Sequence, residues 1–596
     1  MREFSSPSTY TLPRHGNLTD DVVHNGTKHA DSVVFSVRDG HSWSDVTAAE
    51  FLTQVRAVAN GLVAAGIEAG DRVGLLSKTR FEWTLLDYAI WFVGGVTVPI
   101  YETSSAEQVQ WILTDSAARA VVVETAGHRS VVEQARANAG SLEHVWCLDD
   151  GAVEALTTLG LDVSEERLEE RRTTVTPDSH ATIIYTSGTT GRPKGCTLSH
   201  GNFMFEVAVA VEELDALFQE EDGATLLFLP LAHVFARVIQ VAAVRMRVRL
   251  GHSADVRHLV ADLEGFNPTF VLAVPRVFEK VFNTASQNAA ADGRSRIFDR
   301  AVDTAIAYSR ALDDGRPGPL LRVRHSLFDR LVYARLRAAL GGRCRYAVSG
   351  GAPLGERLGH FYRGIGLAVL EGYGLTETTA AVTVNRPDAT KIGTVGRPLA
   401  GTAARIADDG ELEVSGGQVF QGYWGNPDAT AEVLGVDGWL RTGDLAEIDD
   451  EGFVHITGRK KEILVTAGGK NVAPSTLEDR IRAHALVDQC MVVGDGRPFI
   501  AALVTLDTDA TAQWAKRHGK PDAVEDLVDD EDLRAEIQSA VDDANKAVSK
   551  AESVRKFVIL PDAWSEEGGQ LTPSLKLRRT VVMNEARRAV DDLYTR

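Results

Sequence analysis

From Ser32 to about Gly350 the chain alternates two hydrophobic periods, and that alternation leaves few architectures open to it. Phe51, Val55, Val58 and Leu62 recur four, three and four residues apart, the spacing of one buried helix face. Short runs such as Arg72-Val73-Gly74-Leu75-Leu76 and Ala120-Val121-Val122-Val123 read as buried strands. Helix and strand in turn predict α/β layers with parallel strands. With 596 residues, the chain exceeds one ordinary core, so two or more domains are expected.

Further along, the pattern changes. Between Asn283 and Gly341, Ile297, Ala301, Val302, Ala305 and Ile306 recur at helical spacing, as do Leu320, Leu327, Leu331 and Leu340. Gly315-Arg316-Pro317-Gly318-Pro319 separates the two stretches, which predicts a helical insertion over about 283–341. Arg322, Arg324, Arg330, Arg335 and Arg337 on the second stretch read as a solvated face, with attraction to anionic lipid as the alternative. Val244 to Leu250 alternates strictly, which predicts an edge strand with Arg245, Arg247 and Arg249 on one face. After Thr394 short strands and turns dominate. A dense polar run, Gly458-Arg459-Lys460-Lys461-Glu462, marks a boundary. The expected division is a domain over 1–457, a hinge over 458–462 and a smaller mobile α+β domain over 463–596, with a charged helical region from about Asp529 to Arg555.

Composition narrows the partners. A net charge of −20 opposes a nucleic-acid partner. The four cysteines are scattered without a C-x-x-C pair, which argues against a zinc site or a disulfide framework and fits a reducing cytoplasm. The polar start gives no secretory signal. The most apolar stretch, Leu85 to Ile100, is interrupted by Asp87, Gly94, Gly95 and Pro99 and is shorter than the ~20 residues that span a bilayer. Any membrane contact is therefore expected to be peripheral.

The chemistry centres on one loop. Ala181 to Tyr185 is a β-rich run feeding Thr186-Ser187-Gly188-Thr189-Thr190-Gly191-Arg192-Pro193-Lys194-Gly195. Glycines let backbone N–H groups close on an anion, hydroxyls add donors, and Lys194 adds positive charge, a set suited to a triphosphate. The spacing is not that of a Walker loop, and Pro193 prevents a helix from starting at Lys194.

This run resembles the signature of the adenylate-forming superfamily, which holds acyl-CoA synthetases, peptide-synthetase adenylation domains and luciferases. Matching segments follow in the family's order from about Ser32 to Arg579. The resemblance implies a large N-terminal adenylate-forming domain of layered α/β sheets plus a small β-barrel-like subdomain, joined to the mobile C-terminal domain. It implies an ATP/AMP site made by Thr186, Ser187, Gly188, Thr189, Thr190, Gly191 and Lys194, by Gly350, Gly351, Ala352 and Pro353, and by Gly372, Tyr373, Gly374 and Thr376. Tyr373 would lie against adenine, Thr376 would contact the α-phosphate, and Glu377 would help hold Mg²⁺. Asp444 would accept from both ribose hydroxyls, and Arg459 would contact the nucleotide beside a hinge at Lys461. His233 would lie near the substrate carboxylate, with a structural helix-start histidine as the alternative. Gly468, Gly469 and Lys470 would line the coenzyme A tunnel. Lys576, in Leu571-Thr572-Pro573-Ser574-Leu575-Lys576-Leu577, would be the catalytic lysine.

Val274 to Lys280, Val98 to Thr103 and Thr572 to Arg579 are similar to the long-chain fatty acyl-CoA synthetase branch. The implied reaction is ATP-dependent formation of a fatty acyl-AMP, then transfer to coenzyme A. The alternatives are a fatty acyl-AMP ligase loading a carrier-protein pantetheine, a luciferase-like oxygenase, and a non-catalytic acyl-adenylate sensor.

Overall fold

The computed structural model describes residues 1–40, 42–136, 140–186, 192–255, 258–572 and 576–595. Thr47 and Glu50 close a capping box on helix Ala48–Ala64, which buries Phe51, Val55, Val58 and Leu62 as their spacing requires. Strand Arg72–Leu76 pairs in parallel with Val96–Ile100 and Ala120–Val123. These belong to a seven-stranded sheet ordered Gly422–Tyr423, Lys194–Ser199, His180–Thr186, Val96–Ile100, Arg72–Leu76, Ala120–Val123, His144–Cys147.

A nine-stranded sheet lies against it, ordered Arg397–Pro398, Thr383–Val384, Ala368–Tyr373, Tyr346–Ser349, Phe270–Ala273, Ala224–Leu227, Arg249–His252, Val33–Asp39, Ser42–Thr47. One hydrophobic core runs through both sheets and the helices between them, including His200–Glu213 and Val234–Met246. The expected edge strand over Val244 to Leu250 is not there. Helix Val234–Met246 runs on through Arg245, and Arg247 caps it in the left-handed region at φ 59°. Strand Arg249–His252 begins only after that turn and lies inside the sheet, between Ala224–Leu227 and Val33–Asp39. Period-2 spacing of arginines was outweighed by the apolar face of the helix before it.

The apolar stretch resolves into helix Phe81–Phe92 and strand Val96–Ile100, both buried inside the protein. Among the described residues, no helix is long and apolar enough to cross a membrane. Asp87, which interrupts the stretch, forms a fully buried ion pair with Arg237 at 2.6 Å. Asp87 also accepts from Thr97 Oγ1 (2.7 Å) and Gln240 Nε2 (3.2 Å), while Arg237 donates to Thr182 Oγ1 at 2.7 Å. Trp83, Trp91 and Phe203 surround the guanidinium at 5.3, 5.4 and 5.6 Å. Both charges are desolvated, and hydrogen bonds replace the lost water.

Helices Pro275–Ala291, Ser295–Asp313 and Pro319–Phe328 follow, the last continuing as a widened turn to Tyr333 and helix Ala334–Ala338. The helical stretch thus begins earlier than Asn283, where Pro275 at the first turn starts a helix. Phe278, Phe282, Phe298, Phe361 and Tyr362 form its core. A five-stranded antiparallel sheet, ordered Glu3–Ser5, Ala403–Ile406, Glu411–Ser415, Leu440–Ile448, Val454–Arg459, occupies the place of the expected barrel-like part. Its first and last strands are edges among the described residues.

The C-terminal stretch packs a separate core. Strands Val487–Val493, Ile500–Leu506 and Val554–Ile559 alternate their side chains between two layers. Cys490 and Val492 face helices Pro474–Arg482 and Glu531–Asn545, while Met491 and Val493 face Arg579–Glu585 and Arg587–Tyr594. The charged helix is therefore shorter than Asp529 to Arg555, because its end gives way to the third strand. Arg276 reaches across to Asp488, and Thr103 to Glu566, so polar contacts join this unit to the rest.

Candidate active site

The two limbs of the glycine-rich loop are antiparallel strands, His180–Thr186 and Lys194–Ser199, so the loop joins the two strands of a hairpin. Ser187, Gly188, Thr189, Thr190 and Gly191 lie outside the described residues. Both limbs are tied to helix Ala106–Asp115. Tyr185 Oη donates to Asp115 at 2.7 Å, and Trp111 Nε1 donates to the Pro193 carbonyl at 2.9 Å. Lys194 Nζ lies 5.0 Å from the centre of the Tyr423 ring.

A cavity of about 730 Å³ opens beneath this hairpin. Its polar part is lined by Thr186, His233, Gly350, Gly351, Gly372, Tyr373, Gly374, Thr376, Glu377, Arg459, Lys461 and Lys576. Residues from six separate stretches of the chain thus meet in one space, as the motifs predict. Ala352 and Pro353 follow on at an exposed turn, while Asp444 sits behind the wall and is 3% exposed. Asp444 accepts from Tyr373 Oη at 2.6 Å and Arg459 Nε at 2.9 Å, so it orients the two side chains that face the cavity.

Gly374 has a steric reason to be glycine: a Cβ there would sit 1.4 Å from the Ala380 carbonyl oxygen. The chain folds back at this point through Thr379 and Ala380, with φ of 51° and 90°, conformations that a side chain disfavours. Thr379 Oγ1 holds the turn by donating to the Gln418 carbonyl at 2.7 Å. Glu371, half-buried beneath, accepts from the Leu354 amide at 2.8 Å and so ties the Gly350–Leu354 turn to strand Ala368–Tyr373. Burial pushes its carboxyl up to about 7.

His233 is a helix-start histidine whose ring also lines the cavity. Its Nδ1 accepts from the Phe235 amide at the start of helix Val234–Met246. Loss of solvation, with the positive charge of Lys576 adding to it, lowers His233 to about 4. The ring is therefore neutral at pH 7, and with Nδ1 accepting, Nε2 carries the proton.

Lys576 is delivered by a tight turn. Leu571 and Leu577 bridge, the Thr572 amide donates to the Lys576 carbonyl at 2.8 Å, and the Lys576 amide donates to Thr572 Oγ1 at 3.0 Å. Pro573, Ser574 and Leu575 lie outside the described residues. Lys576 is exposed and lines the cavity. Desolvation and then Arg459 lower its pKa, against the opposing pull of Asp444, Glu377 and Glu462.

Glu377 accepts from Tyr423 Oη at 2.7 Å, and its backbone carbonyl accepts from the Phe420 amide at 2.8 Å. Tyr423 therefore serves both Glu377 and Lys194, and no motif pointed to it. Among the described residues no cluster of three His, Cys, Asp or Glu side chains forms a metal cage. A single carboxylate facing the cavity nevertheless fits Mg²⁺, which takes one or two carboxylates and completes its shell with phosphate oxygens and water.

Gly468, Gly469 and Lys470 are not brought into this cavity. They form a turn in which the Gly469 amide donates to the Thr466 carbonyl at 2.8 Å, and Lys470 pairs with Glu552 at 3.4 Å.

Another part of the wall is mostly apolar. Ala210 and Leu214 face it from helix His200–Glu213 and its end, and Val234, Val238 and Ile239 from helix Val234–Met246. Val348, Ala380, Val384 and Leu399 complete it. A polar basin that includes Arg459, Lys461 and Lys576, together with an apolar arm, defines a site for a molecule that is anionic at one end and hydrocarbon at the other.

The chain belongs to the AMP-binding enzyme family, which it matches over residues 22–424, and to the AMP-binding enzyme C-terminal domain over 461–596. It is 50% identical, over 100% of both chains, to the Mycobacterium tuberculosis protein named long-chain-fatty-acid–CoA ligase FadD15. It is 29% identical to long-chain-fatty-acid–CoA ligase ACSBG2 of Xenopus laevis, over 95% of this chain and 82% of that one. Among solved structures, the anthranilate CoA ligase AuaEII with anthranoyl-AMP superposes with a TM-score of 0.72 at 19% identity, covering 97% of this chain and 99% of that one. The adenylation domain of a carboxylate reductase from Mycobacterium chelonae gives 0.74 at 22%, covering 98% and 91%. At those identities the likeness is one of fold.

Proposed function

We propose that the protein is a long-chain fatty-acid–CoA ligase that forms an acyl-AMP and passes its acyl group to coenzyme A. The observation that carries the reading is the single cavity in which Lys576, Thr376, Glu377 and Tyr373 face an apolar arm. In the first half-reaction the fatty carboxylate attacks the α-phosphorus of ATP and pyrophosphate leaves. Lys194 and the Thr186–Gly191 loop hold the leaving group, Lys576 offsets charge on the transferring oxygens, and His233 donates at the carboxylate. Mg²⁺ held by Glu377 would neutralise phosphate charge. In the second half-reaction the thiolate of coenzyme A attacks the acyl carbon and AMP leaves. For that step the 463–596 domain turns about a hinge at 458–462, with Lys461 as pivot, withdraws Lys576, and brings Gly468, Gly469 and Lys470 to the pantetheine arm.

Purified protein given ATP and a long-chain acid is expected to exchange labelled pyrophosphate into ATP, and to form AMP with net turnover only when coenzyme A is added. Exchange without any response to coenzyme A, but with loading of a carrier protein, would move the acceptor to pantetheine on protein. No exchange with any acid would end the reading.

The reading places the enzyme in the cytoplasm, with a peripheral hold on lipid. Leu320, Val323, Leu327 and Leu331 recur along one helix face and are 76%, 68%, 55% and 51% exposed, too open for a core. Between Gly315 and Ala338 six arginines stand against one aspartate, in a chain whose net charge is −20. That combination suits an anionic bilayer surface. The protein is expected to float with vesicles rich in phosphatidylglycerol and not with phosphatidylcholine alone, and Val323→Asp with Leu327→Asp to lower the floated fraction about 10-fold. Wild-type protein that ignores anionic vesicles would remove the assignment.

A further inference from the structure

Glu206 stands in the apolar arm of the cavity and has no evident business there. It lies on helix His200–Glu213, is 1% exposed, and shares a face with Ala210 and Leu214 of the same cavity wall. Its Oε1 accepts from the Ala381 amide at 3.0 Å. Its Oε2 is buried and has no hydrogen-bond partner among the described residues, and no arginine or lysine pairs with it. Glu213, about two helical turns onward, is engaged differently: its two oxygens accept from the Ala400 amide at 2.6 Å and from Arg386 at 3.2 Å.

Burial raises the Glu206 carboxyl well above its ordinary value, with the Glu213 charge adding to the shift against the Ala381 hydrogen bond. When protonated, the carboxyl carries one O–H donor beside its acceptor oxygens. A hydrocarbon chain passing it leaves that group unmet, whereas a chain bearing oxygen at the same depth satisfies it.

We infer that Glu206 forms a subsite for an oxygen substituent, a hydroxyl or oxo group, carried along the chain of the fatty acid. The inference rests on the proposed acid-activating function and on the apolar arm as the acyl site. Glu206 is then a specificity-determining residue: it touches the chain at a fixed distance from the reacting carboxylate and reads the substituent's position.

The test compares kcat/KM for coenzyme A ligation of a saturated long-chain acid and of its monohydroxy positional isomers. Wild-type enzyme is expected to favour one position over its neighbours by about 10-fold. Glu206→Leu should flatten that positional profile while retaining activity on the unsubstituted acid. Glu206→Gln, which keeps a donor and an acceptor, should preserve part of the peak. A role confined to holding the Ala381 amide would lower activity on all isomers alike and leave the profile's shape unchanged, which would overturn the inference. A flat wild-type profile would also overturn it, and needs no variant to fold. Failure of the unsubstituted acid to react at all would instead count against the ligase reading.

Discussion

Lys576→Ala is expected to lower adenylate formation about 1000-fold while leaving thioester formation from supplied acyl-AMP within a few-fold of wild type. The first number follows from one cation about 4 Å from developing charge, worth ~4 kcal/mol at an effective dielectric of 20. The second follows from the arrangement of the loops. Lys576 lines the cavity while Gly468, Gly469 and Lys470 lie outside it, so the two sets cannot both serve one chemical step without movement. Gly469, with φ of 75°, supplies the converse. Gly469→Val should leave pyrophosphate exchange intact and slow coenzyme A transfer. Single-turnover assays of each half-reaction measure both. Equal loss of the two steps in Lys576→Ala would remove the two-arrangement mechanism.

Asp87→Ala is expected to cost about 3–5 kcal/mol of stability, because it leaves Arg237 charged and buried among Trp83, Trp91 and Phe203. The double variant Asp87→Leu with Arg237→Met should recover most of that loss, since matched removal leaves no orphan charge. Thermal and denaturant melts of the three proteins check this. The consequence for the site is indirect. Arg237 lies one turn beyond His233 and donates to Thr182, on the strand that leads into the phosphate loop. A single variant that loses less than about 1 kcal/mol would show that water reaches the pair and that the network is not sealed.

Local pattern carried much of the fold into view. The helix under Phe51, Val55, Val58 and Leu62, and the strands at Arg72 and Ala120, depend on burial of one face, which periodicity reports directly. The motif residues that meet in the cavity were legible because each sits in a short, chemically distinctive run. What stayed hidden depends on distant pairs. Tyr423 matters through Glu377, 46 residues away, and Glu206 through Ala381, 175 residues away. No local spacing encodes such partners. Arg245, Arg247 and Arg249 misled for a different reason: three arginines straddle the end of a helix, a left-handed cap and the start of a strand, and share no face.

The hairpin that carries the phosphate loop has a consequence for how charge is supplied. In many nucleotide sites the loop runs straight into a helix, whose aligned peptide dipoles place about half a positive charge at the phosphates. Here the chain returns as strand Lys194–Ser199, and the next helix starts only at His200. That built-in field is missing from the anchor, so the positive potential must come from side chains, and Lys576 is supplied by the far end of the polypeptide. If the C-terminal domain turns as proposed, withdrawing Lys576 would weaken the hold on triphosphate.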